Sequence, residues 1–93
     1  MIGVIATLKI KDGAGEGFEA AARKLVDAVN ANEPGCKLYQ LGRIDPTTYV
    51  FIERYDDEAA TKAHREPEHF RTLGAAMGEF MAGRPEIVRF EEV

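Results

Sequence analysis

An α+β fold of the ferredoxin-like βαββαβ kind is what this sequence predicts, and three observations carry it. Residues 2–11 alternate with the two-residue period of a strand, whereas from Phe18 the apolar residues recur with the period of a helix. Residues 36–55 form two β-branched and aromatic runs folded about Asp45-Pro46-Thr47, a tight reversal. The full order is strand, helix, strand, strand, helix in two pieces, strand. That is a split βαβ pattern, an antiparallel four-stranded sheet with helices on one face.

The elements follow in order. In the first strand Ile2, Val4, Ala6, Leu8 and Ile10 share one face, and Gly3, Ile5, Thr7 and Lys9 share the other. Asp12-Gly13-Ala14-Gly15 is turn chemistry that leads into a helix. Phe18, Ala21, Ala22, Leu25, Val26 and Val29 then make one apolar stripe, with Glu19, Arg23, Lys24, Asp27 and Asn30 opposite. Glu33-Pro34-Gly35 closes this helix, because Pro34 cannot continue the ladder and Gly35 accepts a left-handed turn. Cys36 to Ile44 is the second strand, and the third runs from Thr48 to Tyr55. Asp56, Asp57 and Glu58 offer a capping oxygen and an acidic first turn to a short helix from Asp57 to Arg65. Pro67 suits the first turn of a new helix whose stripe is Phe70, Leu73, Gly74, Met77 and Met81, with Phe80 beside it and Gly83 at its end. Pro85 precedes a fourth strand, Glu86 to Val93.

With 93 residues the chain has room for one core, so residues 1–93 are expected to be a single domain. The composition is globular, 45% hydrophobic and 30% charged, and a net charge of −4 with scattered Lys and Arg argues against nucleic acid as a partner. Cys36 is alone, which leaves neither an intrachain disulfide nor a thiolate metal site. No apolar run approaches a membrane span and no leader pattern precedes Ile2, so the expectation is a soluble cytoplasmic protein without membrane contact. One feature asks for a partner. Tyr49 and Phe51 lie on one face of the third strand while Val50 and Ile52 lie on the other, and the second strand sets Cys36 and Leu38 against Tyr39 and Leu41. Helices can cover only one of these faces. The other is expected to pack on a second copy, giving a homodimer with a closed or nearly closed barrel at its centre.

The third strand runs directly into the short helix, and this junction holds the chemistry. Ala60, Ala63 and His64 fall at i, i+3 and i+4, so His64 is expected to point inward, toward the strand that carries Glu53 and Tyr55. A carboxylate, a phenol and an imidazole then share one space. The same segment carries a family resemblance, through Glu33-Pro34-Gly35-Cys36 with Tyr39 following, the strand Tyr49-Val-Phe-Ile-Glu-Arg-Tyr55, Ala63-His64, His69-Phe70 and the ending Gly83-Arg-Pro-Glu86. On these residues the chain resembles the antibiotic biosynthesis monooxygenase domain of the dimeric α/β barrel group, which includes quinol monooxygenases. The resemblance spans nearly the whole chain and implies a homodimer with a pocket between helices and sheet in each subunit. It also implies oxidation of a quinol or related polycyclic aromatic by O₂ without a cofactor. Haem-degrading relatives use an Asn, a Trp and a His; this chain has no Trp, and Tyr55 stands where that Trp is expected.

Such a reaction needs a base near neutrality, donors that hold the substrate anion and a pocket that excludes water. His64 fits the base, with Glu53 orienting and charging the imidazole. Tyr39 and Tyr55 offer hydroxyls to substrate oxygens, His69 lines the start of the last helix, and Phe51, Phe70, Met77 and Phe80 form apolar walls. The same residues also allow a bland reading, in which His64 and Glu53 are a buried pair tying helix to sheet and the aromatics are packing. Two further functions stay open: a non-oxidative isomerase acting on a small polar or phosphorylated metabolite, disfavoured by scarce inward Lys and Arg, and a binding or dimerisation module without chemistry. Two histidines five residues apart share a helix face poorly and no Cys joins them, so the chain makes a weak metal site.

Overall fold

A computed structural model describes every residue except Glu66, and of His69 it describes the backbone alone. The elements are β1 (Ile2–Lys9), α1 (Gly15–Asn32), β2 (Cys36–Asp45), β3 (Thr48–Tyr55), α2 (Glu58–Arg65), α3 (Glu68–Gly78) and β4 (Glu86–Glu91). The strands form one antiparallel sheet in the order β2-β3-β1-β4. The helices cover one face of it, with α1 and α2 both against β2. This is the ferredoxin-like arrangement that the order of elements predicts.

Gly13, at φ 76°, makes the turn ahead of α1, and that helix buries Phe18, Ala22, Leu25 and Val29 against the sheet. Ala6 and Leu8 from β1, Ile10 just beyond it, Tyr49 and Phe51 from β3, Tyr39 from β2 and Met77 from α3 complete the core. Asp45 accepts the Thr47 amide at 2.9 Å and so closes the β2–β3 hairpin. Asp57 caps α2, accepting the Ala60 amide at 2.9 Å.

Five sequence expectations are corrected. Gly35 is not left-handed; it is glycine because a Cβ there would lie 2.8 Å from the Cβ of Ala60. A register shift between Cys36 and Leu38 puts these two residues on opposite faces, Cys36 opposite Tyr55 and Leu38 opposite Arg54. Ala63 is exposed, and the buried residues of α2 are Thr61 and His64, at i and i+3. Pro67 precedes α3 as an extended N-cap, φ −63° and ψ 150°, instead of standing in its first turn. Last, α3 ends at Gly78, well before Gly83, because the chain beyond it is captured by the end of β1. There the Lys11 amide donates to Phe80 at 2.8 Å, the Ala82 amide to Lys9 at 2.9 Å, and Met81 bridges to Ile10.

Among the described residues, no helix lies on the second face of the sheet. Ile5, Leu38, Ile52, Val88 and Phe90 lie there, each more than a third exposed. Among the described residues, no helix is long and apolar enough to cross a membrane.

Candidate active site

Between the helices and the covered face of the sheet lies a cavity of about 570 Å³. Alternation along the strands aims Val4, Ala6 and Leu8 of β1 and Phe51, Glu53 and Tyr55 of β3 into it, and Tyr39 of β2 lies opposite Glu53 in register. Phe70, Gly74 and Met77 of α3 close the far wall, with Met81 beyond them. The lining is mostly hydrocarbon, interrupted by a few polar groups, as small-molecule pockets are.

His64 enters from the last turn of α2 and is 6% exposed. Its ring meets Phe70 edge-on at 4.6 Å between centroids and leans on Tyr39 at 5.1 Å and Tyr55 at 5.6 Å. Its Nδ1 lies 2.8 Å from Oε1 of Glu33, a side chain that is itself 9% exposed. Facing a carboxylate oxygen, Nδ1 carries the hydrogen, so in the neutral ring the basic lone pair belongs to Nε2. Glu33 caps the end of α1, and the Asp56 amide donates to the Gly35 carbonyl at 2.9 Å, which holds the α1–β2 loop beside the start of α2.

Glu53 forms a second pair on the sheet side. The Tyr55 hydroxyl donates to its Oε1 at 2.5 Å, and both residues are buried. Burial pushes the Glu53 carboxyl up to about 7, the Tyr55 hydrogen bond acting in the opposite sense and the charge of Glu33 in the same one. The phenols of Tyr39 and Tyr55 are both raised, first by burial and then by the charge of Glu53, so they stand in the site as neutral hydroxyls. Burial also lifts the Cys36 thiol to about 11, which removes it as a nucleophile.

His64, Glu53, Tyr39, Tyr55, Phe51, Phe70 and Met77 thus all line one cavity. Two expectations fail. The carboxylate that orients the imidazole is Glu33 instead of Glu53, whose partner is the phenol two residues along its own strand. Phe80 is not in the wall; its ring lies over Gly17 of α1, where a Cβ would come within 2.6 Å of it. The side chain of His69 lies outside the described residues. Sequence reasoning also passed over Glu33, which it took as part of a turn, and three arginines. Arg65, Arg71 and Arg89 all border the cavity, and Arg89 is held there by Glu58 and by the Thr61 hydroxyl at 3.3 Å. Cations therefore do border the cavity, although all three residues are exposed. No group of three or more His, Cys, Asp or Glu among the described residues is placed to hold a metal ion.

The sequence profile of the antibiotic biosynthesis monooxygenases matches residues 1–76. The chain belongs to that family. A relative from Bacillus subtilis (strain 168), named "Putative monooxygenase YcnE", is 32% identical over 92 residues, which is 98% of this chain and 97% of that protein. A crystal structure from Caulobacter crescentus CB15, described as a "putative antibiotic biosynthesis monooxygenase", superposes with a TM-score of 0.94 at 41% identity and covers 99% of this chain and 89% of its own. A crystal structure of an antibiotic biosynthesis monooxygenase superposes at 0.88 with 33% identity, covering 100% of this chain and 99% of that one. At family level these place the chain among monooxygenase-like proteins.

Proposed function

We propose that residues 1–93 act as one domain that oxidises a quinol or related polycyclic aromatic with O₂, with His64 as the base and Glu33 holding it. The observation that carries this reading is the buried imidazole beside an aromatic-lined cavity, its Nδ1 pinned by a carboxylate at 2.8 Å. In the reaction, His64 removes a phenolic proton and the electron-rich anion passes an electron to O₂. Recombination then forms a carbon–oxygen bond, the peroxide anion takes the proton back from the imidazolium, and the resulting hydroperoxide loses water. Tyr39 and Tyr55 hold the substrate oxygens, and Phe51, Phe70 and Met77 keep the site dry. The protein would use neither metal nor flavin and would work as a homodimer joined through the bare sheet face.

His64→Ala tests the reading. Oxygen uptake with 1,4-naphthohydroquinone should fall by roughly 100-fold or more in protein that is still folded. If the imidazole only ties helix to sheet, uptake by the folded variant stays at the wild-type level and only stability drops, on the order of 3 kcal/mol, as the buried ring's packing on Tyr39, Tyr55 and Phe70 is lost.

Arg65, Arg71 and Arg89 at the cavity favour a second reading, a non-oxidative isomerase acting on a small phosphorylated or carboxylated metabolite. Absence of oxygen uptake with every hydroquinone, together with an organic anion that co-purifies with the protein, would move the assignment there.

A further inference from the structure

The reaction proposed above begins with a base, but its last step needs an acid, and the cavity holds a group suited to that task. Glu53 projects from β3 into the cavity and is 8% exposed. One of its oxygens accepts the Tyr55 hydroxyl at 2.5 Å, which leaves the other for a ligand. Titratable neighbours face it from several sides. Tyr39 and Cys36 come from β2, Tyr55 from its own strand, Glu33 from the end of α1 and His64 from α2. The cations of this region do not neutralise it. Arg89 of β4 goes to Glu58, Arg65 and Arg71 sit on the exposed side of the cavity, and among the described residues no ion pair reaches Glu53. A carboxyl out of water with no cation beside it is biased toward its neutral form even against the pull of the phenol hydrogen bond, and a neutral carboxyl is a proton donor. The position of Glu53 agrees with its titration, which burial pushes up to about 7. The site thus holds a base on its helical wall and an acid on its sheet wall.

We propose that Glu53 is the general acid of the site and gives its proton to the oxygen that departs when the substrate hydroperoxide breaks down. This rests on the monooxygenase reading. In that step His64 takes the proton from the carbon that bears the hydroperoxide. The electron pair of that carbon–hydrogen bond becomes the second bond of a new carbonyl, and the oxygen–oxygen bond breaks. The departing hydroxide takes the Glu53 proton and leaves as water, after which the imidazolium returns a proton to the Glu53 carboxylate. Summed with the O₂ addition, 1,4-naphthohydroquinone and O₂ give 2-hydroxy-1,4-naphthoquinone and water. Tyr55 is a positioning residue in this scheme: its hydroxyl fixes which Glu53 oxygen faces the substrate.

The test pairs turnover with a titration. Glu53→Gln keeps the volume and still accepts the Tyr55 hydroxyl, but it has no proton to transfer. With 1,4-naphthohydroquinone and O₂ it should still consume oxygen, form hydroxynaphthoquinone roughly 100-fold or more slowly than wild type, and release peroxide instead. Independently of any substrate, carbon-13 NMR of the Glu53 carboxyl in the wild-type protein should show a midpoint near neutrality. In Tyr55→Phe that midpoint should move upward, because the phenol hydrogen bond favours the anion. A Gln variant that forms product as fast as wild type, or a Glu53 midpoint in the ordinary carboxylate range, overturns the acid role alone. A wild-type protein that oxidises no hydroquinone while Glu53 titrates near neutrality overturns the oxygenase reading, and the leaving-oxygen role with it.

Discussion

At Glu53 burial works against ionisation, and the consequence reaches stability as well as chemistry. Unfolding returns this carboxyl to its usual value near 4.5 from about 7 in the folded chain. Below the lower value both states hold the proton, and above the higher value both have lost it. Between them the native state binds more protons than the unfolded one, so stability falls as pH rises from about 4.5 to about 7, by on the order of 3 kcal/mol. Denaturant unfolding of wild type and Glu53→Gln at several pH values checks this, since the variant should lack that descending segment. Parallel curves through the window would contradict it. The same residue shows how far sequence reasoning reaches at this scale. That His64, Glu53 and Tyr55 occupy one space was legible, because a strand alternates its side chains and a helix repeats its face over a few residues. That Glu33 holds the ring was not, because the two residues are 31 apart along the chain and meet only where the loop after α1 passes α2.

Gly35 and Ala60 set the distance between that loop and α2. The loop amides and Glu33 move with it, so the spacing of these two elements positions the imidazole. Gly35→Ala should cost about 1–3 kcal/mol, since the added Cβ would sit 2.8 Å from that of Ala60 and backbone must shift to make room. Ala60→Gly opens the same contact at a helix cost of about 1 kcal/mol. Unfolding free energies of the two variants and their combination should therefore be non-additive, the pair losing less than the sum of the singles. Strict additivity would mean that the contact carries no load. Periodicity identified all seven elements and most of their bounds. It missed the bulge after Cys36 because an inserted residue leaves no signature in an apolar run, and it overran α3 because Gly78 to Gly83 still reads as helix until β1 claims its backbone.

Across the whole molecule, the bare sheet face is the largest feature that the chain leaves unexplained within itself. Ile52, at the centre of the sheet, is 40% exposed, and Val88 and Phe90 on the neighbouring edge are more so. Apolar surface of this kind is suited to an interface, and we propose that it joins two copies of the chain. Light scattering at micromolar concentration should give twice the 10.3 kDa chain mass, and Ile52→Asp should return the protein to one chain. A wild-type protein of single-chain mass would remove the dimer from the reading. Sequence by itself determined the order and type of the elements, the two greasy faces of the sheet and the residues aimed into the cavity, because each of these depends on spacing within a few residues. Only the tertiary structure decided which carboxylate meets the imidazole, which arginines border the cavity and where Phe80 goes. Those outcomes depend on how elements distant in the chain lie against one another, and side-chain period says nothing about that.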